Sequence, residues 1–164
     1  MILPRTIGSR LRSSALRIMG KSMALQLISL EPGLSVAGRL DRPDIEALAH
    51  AGVRTIVNNR PDGEDQGQLP AAEARRIAEP LGIAYHHIPI TAATLSRKDV
   101  DAFAATLRDA PSPVVAHCRS GTRSALLWAL VRMREGAQPL ALVAEAARHG
   151  IDIGTLPAVA ARLR

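Results

Sequence analysis

Residues 117–124 read His-Cys-Arg-Ser-Gly-Thr-Arg-Ser and contain the only cysteine of the chain, Cys118. The apolar run at 114–116 predicts a strand before this segment, and a helix is predicted from residue 123 onwards. A thiol between a strand and a helix N-terminus lies where unpaired backbone N–H groups and the helix dipole favour the thiolate. The loop amides and the planar fork of Arg123 can hold an oxyanion over the sulfur. The segment therefore predicts a cysteine nucleophile that attacks an anionic substrate.

The length of this loop indicates which anion it accepts. Four residues separate Cys118 from Arg123. In this respect the loop resembles that of the single-domain rhodaneses, which are sulfurtransferases, whereas the cysteine-dependent phosphatases have one residue more. A shorter loop encloses a smaller bowl with one fewer amide, which fits a terminal sulfur atom better than a tetrahedral phosphoryl group. The loop length therefore favours sulfur transfer.

A phosphatase of this kind also needs a general acid, usually an Asp on the loop after the preceding strand, to protonate the leaving oxygen. That loop is predicted at 90–94, where the sequence Ile-Thr-Ala-Ala-Thr holds no carboxylate. Asp62, in a Pro-Asp-Gly-Glu segment, is the candidate acid that could reach across, although Pro-Asp-Gly is also ordinary turn chemistry. Sulfur transfer has no such requirement, because sulfite leaves thiosulfate as a weak base.

Further residues in and around the cysteine loop are predicted to take part in catalysis, loop support or substrate binding. Ser124 is a catalytic candidate that could donate a hydrogen bond to the thiolate, with a helix N-cap as its alternative role. His117 points away from the nucleophile by strand alternation and is expected to brace the loop. The residues assigned to substrate binding are Arg119, Ser120, Gly121, Thr122 and, at the rim, Arg60.

The elements that position these residues alternate between strands and helices. Strands are predicted at 25–30, 34–37, 53–57, 83–90 and 113–117; helices are predicted at 42–51, 71–81, 96–109, 123–135, 140–149 and 156–162. This order predicts an α/β fold with a mainly parallel central sheet flanked by helices. Ligands of such sheets bind at the carboxyl ends of the strands, where both Cys118 and the polar loop 58–68 are expected.

Length and charge indicate one domain, at 25–164, after a basic extension at 1–24 that is expected to be disordered. Of the 21 basic residues, five lie in 1–24, which holds none of the 15 acidic residues. The remainder is nearly neutral, and aromatic residues make up 2% of the chain, so a nucleic-acid-binding surface is not indicated.

No apolar run approaches the length of a membrane span, and no metal-binding or cofactor-binding motif is found. A single cysteine forms no internal disulfide and fits a reducing compartment, the cytoplasm. The oligomeric state is not predicted.

Four separated blocks resemble the phosphatase-like domain of the beta-lactamase hydrolase-like proteins, a bacterial family with a dual-specificity-phosphatase fold. The blocks are 36–40 (Val-Ala-Gly-Arg-Leu), 56–64 (Ile-Val-Asn-Asn-Arg-Pro-Asp-Gly-Glu), 85–90 (Tyr-His-His-Ile-Pro-Ile) and 117–130. Members of the family are described both as phosphatase-like and as sulfurtransferases. The resemblance implies Cys118 as nucleophile and Arg123 as oxyanion ligand, and it leaves the substrate open.

Three functions follow from these observations. The lead hypothesis is a rhodanese-like sulfurtransferase, in which a Cys118 persulfide forms from a small anionic donor and passes its sulfur to a small thiol or a protein acceptor. The second is a phosphatase that hydrolyses a phosphoester through a phosphocysteine. The third is an oxyanion-binding or thiol-sensor module of low activity.

Overall fold

A sheet of six strands, with helices on both faces, carries the Cys118 loop at the end of a central strand. The computed structural model describes residues 16–18 and 25–164. The strands are β1 (Leu16–Ile18), β2 (Leu25–Glu31), β3 (Leu34–Ala37), β4 (Thr55–Asn58), β5 (Ala84–His87) and β6 (Val114–His117). Their spatial order is β1-β2-β3-β6-β4-β5, so β6 lies between β3 and β4.

The sheet is mixed, as its pairing register shows. β1, β2 and β3 pair antiparallel, whereas β6 is parallel to both β3 and β4, and β4 is parallel to β5. The predicted α/β fold with a mainly parallel sheet is confirmed. Residues 16–18, which the sequence assigned to a disordered extension, form a strand that pairs with β2; the rest of that extension lies outside the described residues.

The helices form two layers, because successive side chains of a strand point to opposite faces of the sheet. The helices are α1 (Arg42–His50), α2 (Ala71–Ala78), α3 (Arg97–Asp109), α4 (Thr122–Arg134), α5 (Pro139–Arg148) and α6 (Leu156–Arg162), with a 3-10 turn at Glu79–Leu81 after α2. Val115 of β6 packs in the layer with α1 and α2. Val114 and Ala116 pack in the opposite layer with α3 to α6.

Local signals set the ends of several helices as predicted. The capping box at the start of α3 is present, with the Ser96 backbone N–H donating to Asp99 Oδ2 at 2.8 Å. Gly82 ends the turn after α2 with a φ of 81°. β5 is shorter than the predicted strand at 83–90: its regular pairing with β4 ends at the partners Asn58 and His87, and beyond them Ile88 and Ile90 donate to the Asn58 and Asn59 carbonyls.

Candidate active site

The carboxyl ends of β6 and β4 bring the cysteine loop beside the polar loop that follows β4. Asn58 is the register partner of His117, and the Asn59 backbone N–H donates to the His117 carbonyl at 2.8 Å. On the other side, the Arg39 N–H donates to the Arg119 carbonyl at 3.2 Å, which fastens the loop to the segment after β3. The loop is therefore held by its neighbours on both sides.

Cys118 lies between β6 and α4, as the sequence predicts, and its side chain is fully buried. The Gly121 backbone N–H donates to Cys118 Sγ at 3.1 Å. Gly121 precedes the first residue of α4 and has a φ of 94°, a conformation that glycine adopts without strain. This hydrogen bond and the N-terminal end of α4 both favour negative charge on the sulfur.

Arg123, in the first turn of α4, is held by three oxygen atoms from two residues. Its Nη1 and Nη2 donate to the two Glu64 carboxylate oxygens at 2.6 and 2.9 Å, and Nη1 also donates to the Ile90 carbonyl at 2.9 Å. These bonds use three of the five guanidinium N–H groups. Nε–H and one Nη2–H, which lie on one edge, have no oxygen acceptor among the described residues. This edge is free to bind an oxyanion.

The charges at this position support each other. The hydrogen bonds that Arg123 donates to Glu64 raise the pKa of Arg123 above its ordinary value, and the nearby Cys118 sulfur acts in the same direction. Conversely, the Arg123 hydrogen bond lowers the pKa of Glu64 to about 2, with a further contribution from Arg60. Glu64 thus stays ionised at neutral pH and fixes the guanidinium beside the sulfur. The sequence analysis assigned Glu64 no role, although it closes the Pro-Asp-Gly-Glu segment.

Arg60 does not occupy the rim position that the sequence predicted. It is 4% exposed, and its guanidinium donates to Glu64 Oε2 at 2.9 Å and also binds Asp65. Buried arginines need such partners, because an unpaired charge away from water is costly. Arg60 therefore supports Glu64 from behind, and it is not placed to contact a substrate.

Asp62, the candidate general acid, has a structural role. Its Oδ1 accepts the backbone N–H of Ala71, the first residue of α2, at 2.8 Å. The side chain satisfies one of the unpaired donors at a helix N-terminus. The expectation that it reaches across to Cys118 is therefore not supported by its position.

Ser124 takes neither of its predicted roles. Its hydroxyl donates to Asn59 Oδ1 at 2.8 Å, and both side chains are buried. Asn59 in turn donates to the Ile88 carbonyl at 3.1 Å. The pair connects α4 to the loop after β4 and so contributes to the shape of the site.

The outer part of the cysteine loop faces a groove. Ser120 Oγ donates to Thr122 Oγ1 at 3.2 Å, and Arg119 lies 3.4 Å from an Asp65 carboxylate oxygen. The groove has a volume of about 550 Å³, and its polar lining includes Arg39, Asp65, Arg119 and Ser120. A substrate whose anionic group enters the loop can place the rest of its structure here.

The carboxylates around the cysteine loop and its groove are engaged by other groups. Asp41 and Asp44, which also line the groove, form the capping box at the start of α1. Glu64 and Asp65 are both paired with arginines. In the loop after β5, the Thr91 and Thr94 hydroxyls bond to each other at 2.9 Å. Residues 16–18 and 25–164 also contain no cluster of His, Cys, Asp or Glu that could hold a metal ion.

His117 lies on the α1 and α2 side of the sheet, away from α4. It is 5% exposed, and burial lowers its pKa to about 4, so its ring is neutral at pH 7. A neutral, buried ring at the base of the loop agrees with the predicted bracing role better than with a general base.

The mixed sheet, the buried cysteine before α4 and the arginine beside it define a phosphatase-like domain of the cysteine-phosphatase type. The sequence pattern of the family described as "Beta-lactamase hydrolase-like protein, phosphatase-like domain" matches residues 26–134. The chain belongs to this family, which confirms the resemblance found from the sequence.

One curated relative and one solved structure illustrate the similarity. The Beta-lactamase hydrolase-like protein of Agrobacterium fabrum is 30% identical over 130 residues, covering 79% of this chain and 30% of that protein. A Neisseria meningitidis protein provisionally described as a phosphatase superposes with a TM-score of 0.72 and 32% identity, over 80% of this chain and 94% of that one. The chain spans about 30% of the length of the curated relatives it matches.

More distant structures share the fold alone. TpbA of P. aeruginosa, solved as a cysteine-to-serine variant in complex with phosphotyrosine, has a TM-score of 0.59 and 19% identity, over 82% of this chain and 80% of that one.

None of the helices described above is long and apolar enough to cross a membrane.

Proposed function

We propose that this domain is a cysteine-dependent phosphatase that hydrolyses phosphoesters of weakly basic leaving groups, such as aryl phosphates. The observation that carries the proposal is the free edge of the Arg123 guanidinium beside a sulfur that accepts the Gly121 N–H. The fold is also that of a structural neighbour that binds phosphotyrosine, which is an aryl phosphate.

The reaction proceeds in two displacements at phosphorus. Cys118 Sγ attacks, a P–S bond forms, and the bond from phosphorus to the leaving oxygen breaks. The Arg123 edge and the loop amides donate to the phosphoryl oxygens, whose interactions strengthen in the transition state. Water then attacks the phosphocysteine, the P–S bond breaks, and phosphate leaves while the thiolate is restored and the proton from water passes to solvent.

The paired state of the nearby carboxylates limits the leaving group. Asp62 caps α2, and Glu64 is held by two arginines. Without a general acid, the leaving oxygen departs as an anion and takes its proton from solvent. An aryl oxide does this far more readily than an alkoxide, because it is the weaker base.

A series of phosphoesters tests this proposal. We expect kcat/KM to fall from 4-nitrophenyl phosphate to phenyl phosphate to an alkyl phosphate, by about tenfold to a hundredfold at each step. The rate falls because no general acid protonates the increasingly basic leaving oxygen. Cys118→Ser should abolish turnover, and acid-quenched wild-type protein should carry one phosphoryl group on Cys118. No turnover of 4-nitrophenyl phosphate by the wild type would contradict the proposal.

Sulfur transfer, the lead hypothesis from the sequence, is the second candidate. Two observations favour it, namely the four-residue spacing from Cys118 to Arg123 and the lack of an unpaired acid in the described residues around the sulfur. Cys118 Sγ would attack the outer sulfur of thiosulfate, the S–S bond would break and sulfite would leave. Because the chain has one cysteine, the persulfide would pass its sulfur to an external thiol or a protein acceptor. None of the relatives reported above is named as a sulfurtransferase.

Intact mass after thiosulfate treatment separates the two candidates. Sulfur transfer predicts a gain of one sulfur atom on the wild type and none on Cys118→Ser, whereas the phosphatase proposal predicts no stable gain. The thiol-sensor alternative predicts neither turnover of phosphoesters nor a gain of sulfur from thiosulfate.

A further inference from the structure

The ring of His117 occupies a buried polar site directly beneath the cysteine loop. Its Nδ1 is the one buried side-chain nitrogen or oxygen without a hydrogen-bond partner in the part of the chain that the structure describes. The residue is 95% buried, being 5% exposed. Such an atom calls for an explanation, because buried polar groups are nearly always paired with protein or ordered water.

A small cavity lies against this ring. Its volume is about 10 Å³, close to the space that one water molecule needs. The polar side chains that line it belong to Asn58, Arg60, Gln68, Tyr85 and His117. Leu40, Ile45, Leu69 and Ala74 complete the lining. A cavity of this size with several polar partners can hold a water molecule, whereas cavities that stay empty are apolar.

The hydrogen bonds around the cavity leave a donor and an acceptor for one water molecule. The Tyr85 hydroxyl oxygen accepts from Asn58 Nδ2 at 2.9 Å, but the Tyr85 O–H has no acceptor among the described residues. Asn58 Oδ1 is used by the Arg60 backbone N–H at 2.8 Å. Burial keeps the pKa of His117 at about 4, so the ring is neutral at pH 7 and one ring nitrogen can accept.

We propose that one buried water molecule occupies this cavity, accepts the Tyr85 O–H and donates to the neutral His117 ring. The water fixes the orientation of the ring, which adjoins the Cys118 backbone; that backbone acts to raise the pKa of His117 against the larger effect of burial. Tyr85 is thereby a positioning residue for the cysteine loop, although it never touches a substrate. The inference goes beyond the proposed function, because the bridge acts on the thiol whether Cys118 receives a phosphoryl group or a sulfur atom.

Tyr85→Phe tests the bridge, because it removes the hydroxyl and keeps the buried ring. Two measurements apply: a high-resolution crystal structure of each protein, and the rate at which iodoacetate alkylates Cys118 at pH 7. We expect the water in the wild type and its loss in the variant. Alkylation should slow by about twofold to tenfold, the effect of one lost hydrogen bond.

Thr55→Val is the matched control. Thr55 is fully buried at the start of β4, and its hydroxyl donates to the Pro111 carbonyl at 2.7 Å, away from the cysteine loop. Tyr85→Phe loses the bond from Asn58 Nδ2 as well as the bond to the water, so it should lose more stability than Thr55→Val, which loses one bond. Thr55→Val should leave the alkylation rate unchanged. An empty cavity in the wild type, or equal slowing in both variants, would overturn the inference.

Discussion

The position of the Arg123 guanidinium depends on the carboxylate of Glu64. Glu64 binds the Nη edge in two places and is itself bound from behind by Arg60. A guanidinium is a rigid planar fork, so fixing one edge fixes the direction of the other. In the proposed reaction, the Arg123 edge that binds the phosphoryl oxygens is oriented before the substrate arrives, and this lowers the cost of stabilising transition-state charge.

Glu64→Gln tests this role. The amide cannot accept two charged hydrogen bonds, so Arg123 loses its fixed orientation. We expect kcat/KM for 4-nitrophenyl phosphate to fall about 10- to 100-fold. This is no larger than the fall that follows removal of a group that itself donates to the oxyanion. Steady-state kinetics provide the measurement.

Asp62→Asn is the control, because it makes the same carboxylate-to-amide change in the same loop. Asn can still accept the Ala71 N–H that Asp62 accepts. We therefore expect nearly unchanged kinetics from this variant. Equal losses in the two variants would mean that Glu64 has no special role at Arg123.

The junction between the cysteine loop and α4 shows how an element positions the site. The sequence predicted a helix at 123–135, and the structure has α4 at Thr122–Arg134. The loop turns into this helix through Gly121, whose φ of 94° points its N–H at the sulfur. Except for β5, which is shorter than predicted, the remaining elements of 25–164 were also predicted at nearly the observed bounds, because periodicity, capping boxes and glycine C-caps are local signals.

Gly121→Ala should damage both stability and activity. A residue with a Cβ in this left-handed conformation costs about 1–2 kcal/mol, and a Cβ at Gly121 would lie 3.5 Å from the Ala37 carbonyl oxygen. If the loop relaxes, the N–H to Cys118 Sγ is lost, so kcat/KM should fall at least about tenfold. Thermal unfolding and steady-state kinetics measure the two effects.

The opposite end of α4 offers a control residue, Gly136, with a similar backbone conformation. Gly136 has a φ of 100°, and a Cβ there would meet nothing within 4 Å. Gly136→Ala should therefore lower stability by a similar amount and leave the kinetics unchanged. If Gly136→Ala also loses activity, the effect of Gly121→Ala is due to general destabilisation and not to the lost bond at Cys118.

At the scale of the whole molecule, the strand order determines which loops meet. β6 lies between β3 and β4, so the cysteine loop contacts both the 38–39 segment and the loop after β4. The same arrangement buries His117 between the sheet and the layer of α1 and α2. The packing of α1 and α2 over this face keeps water from the His117 ring. Protonation of the ring is therefore unfavourable, because burial penalises the charged form.

This burial predicts a dependence of stability on pH. The folded pKa of His117, about 4, lies below the ordinary value of 6.5. The unfolded chain therefore binds the proton first, so the stabilisation is fully present above pH 6.5 and is lost as the pH falls to about 4. The loss attributable to His117 should be on the order of 3 kcal/mol.

Denaturant unfolding at several pH values measures this effect. His117→Asn should be less stable than the wild type at pH 7 but should lose less stability between pH 6.5 and 4. The pKa of His86 is also lowered by burial, so a smaller slope from that residue should remain in the variant. An unchanged slope in His117→Asn would contradict the prediction.

The sequence by itself determined the cysteine loop that holds the candidate nucleophile, the order of strands and helices, and the place of the candidate site at the strand ends. These features depend on neighbours in the chain, and local spacing carries them. Only the tertiary structure decided the roles of residues brought together from separate loops. Glu64 reaches Arg123 across 59 residues, and Ser124 reaches Asn59 across 65. Likewise, Arg60 is buried and Asp62 caps α2 because of how the loop after β4 packs, and no local pattern encodes that packing.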